Sequence, residues 1–377
     1  MAKYTLTLPH ALIYSIGDTH GCGREVIEFV QKLTVRSELR GEDQPAFVQL
    51  GDLCDGFALP SDHSIASLKA LSQQRIRDIP ELEHALKQSG KIFLDWDRDE
   101  GITGAFSAQE LLESTQEDLV VATYQAFKCF ETLLLYSRHQ QRHPDEFFVI
   151  FGNHDADLLR GRCAYGRKQK YILLALLGFT PDQIKLHMTD GSPDVVIQHP
   201  WIKWLSERPH IALSADTVYM HGGPTGELSE RFAHANRDAF NTWLEEIDDA
   251  RANGWDDPHF TEHKCFLSPD GADNDWLRHP ERILNFLKAS SKNYCAVGHS
   301  PFLDFEKGPL LDLAHSPHKD LFATPAQLSP EGRLIKHDTN MKRVGQLWAC
   351  RHQTGSDIWT GIDAELNETK LRPGFPN

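Results

Sequence analysis

The chain has 377 residues and a formal charge of −15, with 40% hydrophobic and 25% charged residues. This is globular rather than disordered composition, and the length is enough for one large domain or two ordinary ones. The acidic excess argues against a general binder of nucleic-acid polymer or anionic membrane, since it repels phosphate, though not against phosphate chemistry where bound metals set the local charge.

Residues 1–10 lack the apolar core of a secretory signal, and no apolar run approaches the ~20 residues that span a bilayer. The run 11–16 (ALIYSI) has strand character and stops at Gly17-Asp18. Helical periodicity follows over 24–33. The run 46–50 (AFVQL) stops in the same way before Gly51-Asp52, and 147–151 (FFVIF) before Gly152-Asn153. The stretch 108–137 carries Leu111, Leu112, Leu119, Tyr124, Phe127, Phe130, Leu134 and Leu135 at near-helical spacing, which predicts one long amphipathic helix. Further helices are predicted over 156–177, 227–252 and 276–289. The runs 217–220 (TVYM) and 294–297 (YCAV) are strands that precede His221 and Gly298-His299. Strands are also predicted at 334–335, 344–348 and 358–362.

Short β-prone runs alternating with helical stretches predict an α/β fold, with polar residues gathered at the C-terminal ends of the strands. Asp18 and Asp52 are 34 positions apart, which fits a strand–helix–strand unit. Asp52 and Asn153 are 101 apart, too long for one crossover. The chain is therefore read as a single domain over 1–377 with a helical insertion at 58–143. That insertion is either a cap at the mouth of the site or a decoration away from it.

Seven cysteines, Cys22, Cys54, Cys129, Cys163, Cys265, Cys295 and Cys350, are odd in number and contain no CxxC pair. This favours reduced thiols in a cytoplasm over a disulfide framework or a zinc–thiolate site. Cys22 and Cys54 are read as small packing residues. Of the 20 histidines, His63, His139, His143 and His279 lie in polar stretches and are read as solvated surface.

Five motifs remain: GDTHG at 17–21, GDLCD at 51–55, GNHD at 152–155, HGG at 221–223 and GHSP at 298–301. Each sets Asp, Asn or His beside glycine. Asp18 and His20 can point to one side of a tight turn. Asp52 ends the next strand and can bridge two cations. Asn153 offers a neutral oxygen, and His221 and His299 offer imidazoles. Six such ligands satisfy two ions ~3.5–4 Å apart, and the mixture suits Mn, Fe, Zn or Co better than Ca or Mg.

In this order the motifs resemble the calcineurin-like metallophosphoesterase superfamily, over a scaffold from 17 to about 338 that excludes the insertion. GDTHG, HGGP, and GHSP with Pro301 in place of a second His are similar to its phosphoprotein phosphatase-like branch of bacterial type. The resemblance implies a four-layer sandwich of two mixed β-sheets flanked by helices. It implies that Asp18, His20 and Asp52 hold one metal, and that Asp52, Asn153, His221 and His299 hold the other. His154 would protonate the leaving oxygen, and Asp55 would hold His154 in the right tautomer. Asp155 is read as a turn or capping residue, and Asp338, in IKHDTN, as a structural neighbour of the site.

Two departures bear on substrate. Protein phosphatases of this branch read GDxxDRG, but Gly56 stands where the phosphate-clamping Arg would be. Phe151 likewise replaces an Arg before GNHD. Arg160 and Arg162, with Lys168 and Lys170 beyond, are candidates to bind phosphate in its stead; Arg24, Lys336 and Arg343 are weaker ones. The leading expectation is a two-metal phosphomonoesterase acting on phosphoprotein, phosphotyrosine included, or on a small phosphorylated molecule. A diadenosine tetraphosphate-type nucleotide hydrolase is the alternative, with Trp96, Phe106, Trp201 and Trp204 as candidate base-pocket aromatics. A cyclic phosphodiesterase and a catalytically dead metal-binding scaffold rank below both. The scaffold reading predicts a broken ligand set, and here the set is whole.

Overall fold

The computed structural model describes residues 4–54, 63–94, 104–161, 167–190, 194–222, 232, 237–253, 280–298, 303–304, 308–309, 327–328, 334–336 and 347–371. Two six-stranded mixed sheets face each other. One is built from β2 (Leu12–Ile16), β3 (Ala46–Gln49) and β6 (Phe147–Val149) in parallel, extended antiparallel by the C-terminal strands Trp348–Gln353, Trp359–Asp363 and Glu368–Lys370. The other holds β1 (Thr5–Thr7), β7 (Ile211–Leu213), β8 (Thr217–Met220) and β9 (Tyr294–Val297), with Leu334–Lys336 and Gln327–Leu328 at its far edge.

Period-two alternation puts apolar residues on both faces of each sheet. Ile13, Val48, Phe148 and Ile150 point inward, meeting Ala212, Tyr219 and Ala296 of the opposite sheet. Tyr14, Ile16, Phe47 and Val149 point outward into a second core shared with helices. On that side lie α1 (Gly23–Leu39) and the 26-residue helix α5 (Glu117–Arg142). Phe240 and Trp243 of the helix Arg237–Asn253, with Phe286 of the helix Pro280–Ser290, belong to the same core. The expected architecture of two mixed sheets flanked by helices is what forms.

The parallel strands β2, β3 and β6, and β8 with β9, all end at one pole. At the other pole the sheets are tied by Asp216. Its carboxylate accepts from Gly355 N at 2.7 Å and Thr217 Oγ1 at 3.0 Å, and its carbonyl from Asn293 N at 2.7 Å.

Between β3 and β6 run α2 (Ile65–Asp78), α3 (Pro80–Gln88), the hairpin β4 (Lys91–Leu94) with β5 (Gly104–Ser107), α4 (Ala108–Glu113) and α5. The single helix predicted over 108–137 is thus two. Ser107 opens α4 with a capping box, and Ser114, at ψ 142°, leaves helical space before α5 begins. Likewise 156–177 is not one helix. α6 (Asn153–Arg160) starts earlier and ends at Gly161 in the left-handed region (φ 67°), before α7 (Arg167–Leu176). The predicted helices at 227–252 and 276–289 appear as Arg237–Asn253 and Pro280–Ser290; residues 227–231 and 276–279 lie outside the described residues. The strand expected at 344–348 begins only at Trp348, and 337–346 lie outside.

His139 and His143 also depart from expectation. Both are half-buried, their rings 4.6 Å apart, with His139 edge-on to Phe147 at 4.9 Å. Burial, then His143 and Arg142, push the His139 imidazole down to about 4. No helix among the described residues is long and apolar enough to cross a membrane.

α5 is buried on nearly all sides, including several polar positions. Glu131, 1% exposed, accepts from Arg24 Nε at 2.6 Å and from Arg75 Nη1, fastening α1 and α2 to α5. Glu131→Gln leaves the mostly buried Arg75 guanidinium without its carboxylate. The expected loss of unfolding free energy is about 3 kcal/mol in a denaturant titration. A loss under about 0.5 kcal/mol, the scale of a surface substitution, would show the network to be dispensable.

Candidate metal centre

β2, β3, β6, β8 and β9 lead to the same pole, where Asp18, Asp52, Asn153, His221 and Gly298 follow them. The loops after them interlock through main-chain bonds: His20 N to Asp52 O, Gly21 N to Leu53 O and Gly298 N to His221 O, all 2.8 Å. The turns are tight. His20 (φ 40°) and Asp52 (φ 55°) occupy the left-handed region, where residues other than glycine are uncommon and costly. Glycine is required where the loops cross. A Cβ on Gly152 would lie 2.3 Å from Asp52 N, and one on Gly298 2.3 Å from Asp18 Oδ1.

Five of the six expected ligands converge. Asp18, His20, Asp52 and His221 are all at most 3% exposed. His20 Nε2 lies 4.0 Å from Asp18 Oδ2 and 3.9 Å from Asp52 Oδ2. His221 Nδ1 lies 3.5 Å from Asp18 Oδ1, and its Nε2 3.4 Å from Asp52 Oδ1. Asn153 Oδ1 is 2.8 Å from His221 Nε2. Two ligand groups share Asp52: Asp18, Asp52 and His221, and His20, Asp52 and His154. His299 lies outside the described residues, but the preceding Gly298 sits against Asp18.

The donor set suits divalent cations. His221 Nδ1 is 2.7 Å from Leu50 O and donates to it, which leaves the Nε2 lone pair facing Asn153 Oδ1 and Asp52 Oδ1. Three acceptors converging on one point repel one another unless a cation or proton lies among them. Two carboxylates buried against imidazoles impose the same demand.

His154 stands at the edge. Its side chain is 16% exposed, Nε2 lies 3.8 Å from Asp52 Oδ2, and the ring meets His20 edge-on at 5.3 Å. Its main-chain N–H donates to Asp52 Oδ1 at 3.0 Å. Asp55, Arg162, Asp338 and Trp96 lie outside the described residues. Arg160 does not join the centre through its backbone. It ends α6, seven residues after Asn153, about 10 Å along the helix axis. Trp201 packs edge-on to Phe130 at 5.0 Å, and Trp204 donates its indole N–H to Gln140.

Two residues hold this geometry in ways the motifs do not announce. Asp155 is fully buried and binds three main-chain donors: Leu53 N at 2.9 Å, Cys54 N at 3.2 Å and Gly152 N at 2.9 Å. It caps α6 as expected, but it also clamps the Asp52 loop to the Asn153 loop. Burial, reinforced by the Asp52 carboxylate and opposed by those donors, pushes Asp155 up to about 7. Gln49 accepts from Gly51 N at 3.1 Å and donates to Gly17 O at 3.3 Å, bridging the ends of β2 and β3. The available signal was a lone amide inside an apolar strand, next to a Gly-Asp pair.

No family model matches the chain, and no curated protein matches it. Solved structures do. A cold-active protein tyrosine phosphatase is similar over 98% of this chain and 81% of its own, at 15% identity and TM-score 0.45. A Saccharomyces cerevisiae protein serine/threonine phosphatase with similarity to human phosphatase PP5 is similar over 99% and 85%, at 13% identity and TM-score 0.43. A candidate diadenosine tetraphosphatase is similar over 96% and 97%, at 13% identity and TM-score 0.39. At such distances the side chains of the site, not these likenesses, carry the functional reading.

Asp155→Asn keeps the shape but turns an amide N–H₂ toward a main-chain donor. The expected cost is about 1–3 kcal/mol of stability, with faster hydrogen exchange at the Gly152 amide or at those of Leu53 and Cys54, according to which way the new amide faces. Unchanged protection of all three amides would refute the clamp.

Proposed function

We propose that the chain hydrolyses phosphoric esters, phosphomonoesters first among them, with two divalent cations held by Asp18, His20, Asp52, Asn153, His221 and His299. The observation that carries this reading is the convergence of Asp18, Asp52, His20, His221 and Asn153 around one buried point, with His154 at its edge. When bound, the cations supply the positive charge that polarises a phosphoryl oxygen and activates water. Mn, Fe, Zn and Co suit the mixed oxygen and nitrogen donors.

The remaining roles belong to the chain. Asp52 is shared between the two halves of the centre, and the His154 N–H fixes its carboxylate. The Leu50 carbonyl sets the His221 tautomer, so that Nε2 is the ligand atom. The N-terminus of α6 opens on the same point, adding donor main chain and a favourable dipole for an anion. His154 has the position of a general acid, partly exposed and with Nε2 toward the centre. It would deliver a proton to an ester oxygen that leaves poorly on its own, while Asp55 holds the ring.

Gly56 and Phe151 stand where phosphate-clamping arginines would be, and Arg160 and Arg162 are the proposed phosphate-binding residues in their stead. A substrate whose phosphate stands clear of bulky neighbours, such as a phosphotyrosine or phosphoserine side chain, suits a centre in which the cations take most of the phosphoryl charge.

His154→Asn is expected to keep its metal content and lose ~10²–10⁴-fold in kcat on an alkyl phosphate, with a smaller loss on an aryl phosphate that needs no acid. Equal losses on both would remove His154 from the acid role. Asp52→Asn is expected to lower metal content at both positions, read by elemental analysis after dialysis against Mn. Full retention would contradict the shared ligand.

A further inference from the structure

Lys128, on the buried face of α5, is 4% exposed. Buried ammonium groups normally face a carboxylate. The carboxylate one turn away, Glu131, is taken up by Arg24 and Arg75. Among the described residues the hydrogen-bond acceptor of Lys128 Nζ is the sulfur of Cys22, at 3.1 Å; the Tyr124 ring lies further off, at 5.9 Å. Cys22 follows the His20 turn, and a Cβ on Gly21 would lie 3.1 Å from Lys128 Cβ. Of the described cysteines Cys22 is the most exposed, at 5%, against 0–1% for Cys54, Cys129, Cys295 and Cys350. Its sulfur touches the Lys128 ammonium.

We infer that Cys22 is an oxidation site whose sulfenic acid is captured by Lys128 as a sulfenamide, a reversible Sγ–Nζ cross-link. The oxidant is hydrogen peroxide. In the first step the peroxide O–O bond breaks, sulfur loses two electrons and gains a hydroxyl, and the other oxygen leaves as water with the thiol proton. In the second step Nζ gives one ammonium proton to solvent and attacks sulfur. The N–S bond forms, the S–O bond breaks, and the hydroxyl leaves as water with an amine proton. In sum, thiol, ammonium and hydrogen peroxide yield sulfenamide, two waters and one proton. Once it has lost that proton, a nitrogen already beside the sulfur needs no diffusion to reach it, whereas a second peroxide molecule, which would carry sulfur on to the irreversible sulfinic acid, must enter from solvent. The bond would tie the His20 turn to α5, and an external thiol would release it by attack at sulfur. None of this depends on the reading of the metal centre.

The test is peptide mapping of the full-length protein by mass spectrometry without reduction, after stoichiometric hydrogen peroxide. The expected result is one species joining the peptides of Cys22 and Lys128, two hydrogens lighter than their sum and separated by dithiothreitol. Cys22→Ser abolishes it. Lys128→Arg keeps a cation but cannot condense in this way, so Cys22 there is expected to be trapped by dimedone. Wild-type protein in which Cys22 stays a free thiol, pairs with another cysteine, or reaches sulfinic acid while Lys128 is unlinked would overturn the inference. That measurement needs no variant to fold.

Discussion

Two carboxylates, those of Asp18 and Asp52, lie almost fully out of water, each within 4.8 Å of His221 and of each other. Like charges at that separation in a buried site are costly, and they persist only where the surroundings leave no alternative. The parallel strands hold the two motifs side by side, because β2 and β3 pair in register from Ile13–Ala46 to Ile16–Gln49. Each aspartate therefore leaves its strand at nearly the same height. The left-handed turns at His20 and Asp52 then fold both side chains back toward a single point instead of letting the chain run on. Backbone strain at those two residues is the direct consequence of bringing side chains from separate strands together.

Asp155 shows how that strain is contained. A buried carboxylate that accepts three main-chain N–H groups from two loops cannot move without leaving all three unsatisfied. Yet burial and Asp52 hold Asp155 far above the usual carboxylate range. A cation among Asp18, Asp52 and His221 would lower the energy of the charged clamp as well as of the ligands. Occupancy of the centre by a cation would thus favour the charged form of the residue that holds its loops together.

The strands were legible because each is short, apolar on both faces and cut off by Gly-Asp, Gly-Asn, His or Gly-His. Period two and a breaker locate such an element without tertiary information. β8 and β9 fall where the sequence places them, and β2, β3 and β6 end within two residues of it. Helix breaks were less legible. Ser107 and Ser114 divide 108–137, and Gly161 ends α6, where periodicity alone runs through. The left-handed conformation of Gly161, packed on the His187 carbonyl, is a tertiary fact. The convergence of the Asp18, His20, Asp52, Asn153 and His221 side chains could be anticipated from the motifs, whereas the clamping by Asp155 and the bridge by Gln49 could not. Their partners are main-chain groups, which carry no sequence signature.

α5 departs furthest from a simple amphipathic reading, and the reason lies in its polar residues. A helix buried on nearly all sides could be apolar throughout, yet this one buries Lys128, Glu131 and Thr132 in consecutive turns. Each meets the His20 turn or α1: Lys128 the sulfur of Cys22, Glu131 the side chain of Arg24, and Thr132 Oγ1 the Gly23 N–H at 3.0 Å. Gly23 permits this approach, since a Cβ there would lie 2.7 Å from Thr132 Cα. Packing alone would let α5 slide along α1. Three directional contacts within five residues fix its register, and with it the height of the His20 turn against the sheet. Through Arg75 the same helix carries α2. α2, α1 and the loop that bears Asp18 and His20 are therefore all fastened to the same helix.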